Sequence, residues 1–211
     1  RLLQIHSVGD WVQRRTLQSR SRIKSIDFAP SGDWLAAGTR DPGLEIWDLG
    51  SDAASRTLRA EGDHFDEMPG FVAFSPDNRL VACAGRGKNI AVFEIATGKL
   101  AAELSGHAHA PTAADFAPDG RLVSGGEERT LRLWSIPEQQ CLATWVTVPA
   151  DPRQGWTDQW VGYRASGEFV GSESLDRLVG WQTGGEVYTQ PEIAGVRRRV
   201  DSLGFGPHQS H

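Results

Sequence analysis

The chain has 211 residues, which is enough for one substantial domain with its own hydrophobic core. Its formal net charge of −5 argues against a domain-wide nucleic-acid interface, because such an interface usually needs a basic face. No apolar run approaches the roughly 18 residues that a membrane-spanning helix requires. We therefore expect a protein or peptide partner rather than a membrane or a nucleic acid.

The composition predicts an all-β protein. Eight Trp, 24 Gly and 11 Pro residues place aromatic anchors among many turns. The two cysteines, Cys83 and Cys141, lie far apart in strand-like runs and form no CxxC pair. We predict that both are buried free thiols, which is typical of a reducing compartment, and we expect a cytoplasmic location.

Taken in chain order, the first predicted elements are two strands in residues 1–18, RLLQIHSVGDWVQRRTLQ. The next four strands are predicted at residues 22–28, 34–38, 44–48 and 56–59. Turn-forming residues separate them. Pro30 fits the first of these turns, because proline fixes φ and donates no hydrogen bond to a strand ladder.

An aromatic residue followed by a turn sequence recurs along the whole chain. The recurring positions, at intervals of 42 to 47 residues, are Phe28, Phe74, Phe116, Tyr163 and Phe205. A second aromatic residue follows each of the first four after 18 or 19 residues, at Trp47, Phe93, Trp134 and Trp181. A four-stranded sheet of this size cannot bury both faces alone, so each repeat is expected to pack on its neighbours around the second aromatic residue.

These repeats resemble those of WD-repeat β-propellers, which are rings of four-stranded antiparallel blades. Trp47-Asp48 is the signature dipeptide of that family, and Gly106-His107 matches the Gly-His pair that opens a repeat. Gly62-Asp63-His64 is a looser match to the same pair. Degenerate versions of the dipeptide are Phe93-Glu94, Trp134-Ser135 and Trp181-Gln182. The resemblance covers nearly the whole chain and implies one propeller domain.

The resemblance divides that domain into blades, whose strands are lettered a to d. It predicts strands c and d of a preceding blade at residues 1–18 and strand a of a following or closing blade at 196–211. The complete blades are predicted at 19–62, 63–107, 108–150 and 151–195. The chain would be a slice of a longer array, or its last strand would close a five-bladed ring. We favour the slice, with the missing blades supplied by the rest of the polypeptide or another subunit.

The family places an aspartate in the turn between strands b and c, where it bonds to the histidine of the Gly-His pair. Asp41 matches this position in the first complete unit. Gly87, Glu128 and Leu175 occupy it in the following units. The resemblance therefore implies a structural His107, but it does not predict the complete hydrogen-bond network in most units.

The sequence shows no catalytic constellation. Ser124 lies in no nucleophile elbow, and Gly85-Arg86-Gly87-Lys88 lacks the spacing of a phosphate loop. His107 and His109 alone are a weak metal signal. Glu127 and Glu128 are adjacent in a turn, where we expect both to be solvated. We predict a non-enzymatic protein without a metal or a cofactor.

In the family, the b–c turns and the loops before strand a gather on one face, and loops on a rigid scaffold are where binding usually occurs. The resemblance also places His64 and His109 on this face. The predicted partner-binding residues are Arg40, Asp41, Arg86, Lys88, Glu128, Arg129, Arg153, Trp156, Asp176 and Arg177.

Three functions compete. The leading hypothesis is a protein–protein interaction scaffold that docks a protein or peptide on this loop-rich face. The alternative is a sensor or regulatory propeller segment of a larger multidomain enzyme with a kinase, NTPase or caspase-like effector. A propeller enzyme would need converging carboxylates or histidines, and the sequence shows none.

Overall fold

The computed structural model describes residues 1–40, 43–51, 54–59, 69–148, 159–164, 169–171, 181–183 and 186–188. Every regular secondary-structure element in these residues is a β-strand. In the same part of the chain, no helix has the length and apolarity to cross a membrane. The chain forms two compact units, one of residues 1–128 with 135–140 and one of residues 129–134 with 141–211.

The first unit consists of antiparallel sheets in which neighbouring strands are consecutive in the sequence. A hairpin consists of β1 (Leu2–His6) and β2 (Gln13–Gln18). The first four-stranded sheet contains β3 (Ile23–Phe28), β4 (Trp34–Thr39), β5 (Leu44–Asp48) and β6 (Arg56–Leu58). The second contains β7 (Phe71–Phe74), β8 (Leu80–Ala84), β9 (Ile90–Glu94) and β10 (Leu100–Leu104). A further pair is β11 (Pro111–Phe116) with β12 (Leu122–Gly126).

Six further strands follow along the chain. They are β13 (Thr130–Ser135), β14 (Gln140–Val148), β15 (Gln159–Tyr163), β16 (Phe169–Gly171), β17 (Trp181–Thr183) and β18 (Glu186–Tyr188). β15 pairs with β14 and with β16, and β17 pairs with β18, all antiparallel. The four strands predicted in the first complete unit are confirmed as β3 to β6, with bounds that differ by at most one residue.

The core lies between successive sheets. Ala36 and Ile46 of the first sheet pack in one cluster with Phe74 and Phe93 of the second. The middle strands are buried along nearly their whole length, because both of their faces meet a neighbouring sheet. Phe93 is 1% exposed, and truncation of such a side chain to alanine typically costs about 3–5 kcal/mol.

The aromatic residues near the ends of β5 and β9, Trp47 and Phe93, lie in this inter-sheet space, as predicted. Trp47 packs with Leu35 of its own sheet and with Leu17 of the β1–β2 hairpin. Phe93 and Trp134 are also buried, at 1% and 0% exposure. The Trp181 side chain lies outside the described residues.

The β1–β2 hairpin covers only part of the sheet on which it packs. In the pairing of β3 with β4 and of β4 with β5, Phe28 lies opposite Leu35, and Leu35 lies opposite Trp47. These three residues and Ile26 therefore share one face of the first sheet. Ile26 is 49% and Phe28 45% exposed, although Leu35 and Trp47 are buried. The equivalent Phe74 is only 4% exposed. The hairpin therefore covers this face of the middle strands β4 and β5 but leaves the side chains of the edge strand β3 partly exposed to solvent.

Hydrogen bonds also connect the first and second sheets. The Phe74 amide donates to Asp27 Oδ2 at 2.9 Å, and the Ser31 amide donates to Asn78 Oδ1 at 2.8 Å. From β6, at the opposite edge of the first sheet, Arg56 Nη2 donates to the Ile95 carbonyl at 2.8 Å. These polar contacts fix how the two sheets pack, because each satisfies a backbone group at the junction.

The cysteine prediction is confirmed for one residue and wrong for the other. Both are free thiols. Cys83 lies in the core, but Cys141, in strand β14, is only partly buried. Residues 189–211, with the predicted last strand, lie outside the described residues. The division into blades and the choice between a slice and a closed ring stay predictions.

Candidate functional site

A buried histidine connects the loop before β11 to strand β12 and to the turn that follows it. His107 follows Gly106, whose φ of 146° favours glycine. The His107 side chain is 0% exposed, with Nδ1 2.5 Å from Glu128 Oε1 and Nε2 2.7 Å from Ser124 Oγ. A carboxylate can only accept, so Nδ1 carries the hydrogen that bonds to Glu128. These buried hydrogen bonds therefore hold the loop before β11 against the turn after β12.

This network corrects the expectation that Glu127 and Glu128 are both solvated. Glu127 is exposed, whereas the Glu128 side chain is only 9% exposed and lies against His107. The glutamate side chain reaches the histidine from the position where the family carries aspartate. Glu128 was also predicted on the partner-binding face. Its carboxylate instead points inward and bonds to His107, which holds the loop before β11 in place.

The network needs a glycine beside it. A Cβ atom at Gly126 would lie 2.7 Å from His107 Nδ1 and would also collide with the Glu128 carboxylate. Real Cβ contacts are essentially never that short. The last residue of β12 therefore lacks a side chain where the imidazole and the carboxylate meet.

A cleft opens beside this locked loop. We call it the loop cleft; its volume is about 360 Å³, and it is lined by Arg86, Lys88, Ala108, His109, Ala110 and Glu127. Arg86 and Lys88 come from the turn between β8 and β9, and both are exposed. On the other side, the Glu127 amide donates to the Ala110 carbonyl at 3.3 Å. The cleft thus has one wall from each of two neighbouring repeats.

A second cleft, of about 490 Å³, lies beside the β1–β2 hairpin and is lined by residues 15–20 together with Trp47, Ala54 and Ser55. Beside it, the buried Glu45 carboxylate accepts hydrogen bonds from Ser19 Oγ and Ser55 Oγ, both at 2.6 Å. Sequence reasoning missed Glu45. Its only sequence mark is a charged residue between Leu44 and Ile46 in a buried strand.

The structure brings some of the predicted binding residues together and separates others. Arg86 and Lys88 share the loop cleft with His109 and with Glu127, which sequence reasoning expected only to be solvated. Arg40 is exposed but does not line the cleft. Arg129 is exposed and has a φ of 63°. The predicted residues outside the described part are Asp41, Arg153, Trp156, Asp176 and Arg177.

Within the described residues, no three His, Cys, Asp or Glu side chains are grouped so as to hold a metal ion. The carboxylates with buried contacts, Glu45 and Glu128, are engaged by hydroxyl or imidazole groups.

Comparison with known proteins identifies the repeats. The family model of the WD domain, G-beta repeat, matches residues 11–48 and 98–135. The second match contains the whole His107, Ser124 and Glu128 network. Protein groucho of Drosophila melanogaster is 34% identical over 126 residues, which make up 58% of this chain and 17% of that protein.

Two further comparisons gave matches. The pre-rRNA-processing protein crb3/ipi3 of Schizosaccharomyces pombe is 26% identical over 168 residues, covering 71% of this chain and 36% of that protein. The crystal structure of RRP9 WD40 repeats superposes with a TM-score of 0.54 at 18% identity, over 60% of this chain and 39% of that chain. The chain thus spans well under two thirds of the length of each of these relatives.

Proposed function

Because this chain is a WD-repeat protein with the antiparallel blades of a β-propeller, we propose that it is a non-enzymatic protein–protein interaction scaffold. Its partner docks on the face formed by the b–c turns and the loops before strand a. One observation carries the proposal: the His107 network holds the loop and the turn from inside while His109, Glu127 and Lys88 stay exposed.

Rigid display of exposed side chains is what a docking surface requires. A loop that is already ordered loses little conformational entropy when a partner binds, so more of the contact energy remains as affinity. Here the loop is ordered by buried hydrogen bonds, so substitution of its exposed side chains should leave the loop conformation unchanged. The buried free Cys83 fits a reducing location, and we propose that the scaffold is cytoplasmic.

The test is affinity capture of the native partner with single alanine variants of Arg40, Arg86 and Arg129. Arg79→Ala is the matched control, since Arg79 is exposed in the β7–β8 turn, at the opposite end of the sheet from Arg86. We expect loss of capture in at least one loop-face variant and retention in the control. Retention in all three variants would refute docking on this face.

A second candidate is a regulatory propeller segment of a larger multidomain enzyme with a kinase, NTPase or caspase-like effector. The observation that favours it is the small share of the relatives' length that this chain spans, 17% and 36%. The intact mass of the native polypeptide discriminates between the two. A mass near 23.0 kDa supports the scaffold alone, and a much larger mass directs the search to attached domains.

A further inference from the structure

We propose that the chain binds an antiparallel pair of β-strands from a partner protein beside the hairpin strand β1. Within the described residues β1 pairs only with β2, so its other edge is open. We call the binding surface the hairpin edge; it consists of this open edge together with the exposed side chains of Ile26 and Phe28 on β3. The surface shares no residue with the loop cleft and is therefore additional to it.

The hairpin is oriented so that the open edge of β1 lies towards β3. Arg15 of β2 donates to the carbonyls of Leu49 and Ser51. Ser19, directly after β2, donates from Oγ to Glu45 Oε2 at 2.6 Å. These acceptors belong to β5 and to the loop that leads to β6, so β2 lies on the β6 side of the first sheet. Because β3 is the opposite edge of that sheet, β1 is the hairpin strand nearer to β3.

Hydrogen bonding between β1 and β2 identifies the open backbone groups. The Ser19 amide donates to the Arg1 carbonyl at 2.8 Å, and the register continues without a shift from Leu2 through Gln4. In an antiparallel pair, residues that bond to the partner strand alternate with residues whose amides and carbonyls point away from it. The backbone groups of Leu2 and Gln4 therefore point to the open edge. Strand β1 contains neither proline nor lysine, which commonly block pairing at an edge.

The next junction in the same molecule shows what covers such a face. Phe74 of β7 holds the same repeat position as Phe28, and it is buried. Ala36 of β4 packs in one cluster with Phe74, and the Asp27 carboxylate of β3 accepts from the Phe74 amide. In that junction, β3 and β4 continue the sheet beyond β5. A strand pair beside β1 would cover Phe28 in the same way.

The two receiving faces have the same chemistry. Ile26 and Phe28 take the places in β3 that Val72 and Phe74 take in β7, and all four side chains are apolar. Against Val72 and Phe74 the covering strand β4 presents the small side chain of Ala36. We therefore expect the bound strands to present small apolar side chains to the hairpin edge. Burial of apolar surface favours binding, and backbone hydrogen bonds to β1 set the register.

A second copy of the chain cannot fill this place by pairing β1 with β1. The twofold axis of such an antiparallel pair is perpendicular to the sheet, so Leu3 and Ile5 of both copies would face the same side. Both side chains pack on the first sheet, and the first sheets of the two copies would then collide. We assign the place to a different protein. This assignment rests on the proposed scaffold function, and a further segment of the same native polypeptide is the competing outcome.

The experiment measures the binding of a labelled synthetic peptide to the full chain by fluorescence anisotropy. The peptide has the sequence of residues 22–40, which contains β3 and β4, the strand pair that covers the equivalent face of the second sheet. In the matched control peptide, Ala37→Pro removes an amide that β4 directs towards β5. We expect the control peptide to bind at least about tenfold more weakly. Equal affinity of the two peptides would overturn strand pairing.

Hydrogen exchange locates the bound peptide. The amides of Leu2 and Gln4 should exchange at least about tenfold more slowly in the saturated complex, because they gain acceptors. The amides of Leu3 and Ile5 point towards β2 and should change much less. Unchanged exchange at Leu2 and Gln4 in the saturated complex would show that the peptide binds elsewhere.

Variants test the apolar part of the hairpin edge. Ile26→Ser and Phe28→Ser should each weaken the peptide about tenfold. Leu100→Ser is the matched control, because Leu100 is a similarly exposed apolar residue in β10 of the second sheet. An equal loss in the control would refute a contact with Ile26 and Phe28. Matching thermal unfolding of the variants verifies that each is folded.

The source of the natural strands is decided by two comparisons. The peptide should compete with the native partner in affinity capture, and Phe28→Ser should reduce that capture. If the intact native polypeptide does not bind the peptide although the 211-residue chain does, a segment of the polypeptide itself fills the place. That result would overturn the assignment to a partner protein.

The two proposals fail in different ways. If the peptide does not bind but native partner capture is lost in Arg40→Ala or Arg129→Ala, strand addition is wrong and docking on the loop face stands. If the peptide binds at the hairpin edge and Phe28→Ser reduces capture while no loop-face variant does, strand addition stands and docking on the loop face is wrong.

Discussion

His107 Nδ1 lies 2.5 Å from Glu128 Oε1, although the two residues are 21 positions apart in the chain. The contact joins the loop that enters one repeat to the turn between its second and third strands. Because both groups are buried, each depends on the other to replace the water it lost on folding. This pair is the internal support of the proposed docking face.

Removal of the Glu128 carboxylate should destabilise the protein. In Glu128→Ala the buried Nδ1–H of His107 loses its acceptor, and we expect the free energy of unfolding to fall by about 1–3 kcal/mol. Urea unfolding measures the change. Glu127→Ala removes the same charge from an exposed neighbour and should stay within about 0.5 kcal/mol of the parent. Equal losses in the two variants would contradict a structural role for Glu128.

The ionisation of Asp27 should oppose folding. Burial raises the pKa of this carboxyl, and the nearby charge of Asp115 adds to the shift, against the hydrogen bonds from the Phe74 and Phe28 amides. A raised folded-state pKa means that the stabilising contribution is complete below the unfolded pKa of about 3.9 and is lost as pH rises through the folded pKa.

Asp27→Asn keeps an acceptor for the Phe74 amide and removes the ionisation. We therefore expect the stability of the variant relative to the parent to increase as pH is raised from about 3 to about 7, and then to level off. The measurement is the free energy of unfolding of both proteins across this range. A relative stability that falls with rising pH would contradict the sign of the shift.

Cys83 should be chemically inert in the folded protein. Burial raises the pKa of its thiol to about 12, so the reactive thiolate is absent at neutral pH. We expect a maleimide reagent to modify the partly buried Cys141 first and Cys83 only after unfolding. Mass spectrometry of the native protein measures this order, with Cys141→Ser as the control. Rapid native labelling of Cys141→Ser would be inconsistent with a buried Cys83.

Gly38 should not tolerate a side chain. A Cβ atom there would lie 2.6 Å from Ser25 Oγ and 2.8 Å from Pro69 Cβ, where the strand approaches the next repeat. We expect Gly38→Ala to cost about 1–3 kcal/mol of unfolding free energy, because overpacking shifts the backbone. The control is Gly50→Ala, whose added Cβ would meet nothing closer than Asp48 Oδ1 at 3.4 Å. A loss no larger than in the control would argue against the close approach.

The sequence by itself determined the β-strands and the repeat. Strand β5 has the predicted bounds Leu44–Asp48, and Trp47 and Phe93 are buried where the aromatic spacing placed them. These features could be predicted because strand periodicity and turn chemistry act within a few residues, and the repeat states the same information several times.

Only the tertiary structure decided which side chains meet. Glu127 and Glu128 are neighbours in the same turn, yet one faces solvent and the other a histidine from an earlier loop. Phe28 and Phe74 hold the same repeat position, but the partial cover of the β1–β2 hairpin leaves Phe28 exposed. Burial and ionic pairing depend on what the neighbouring sheet presents across the junction, and no local pattern along the chain contains that.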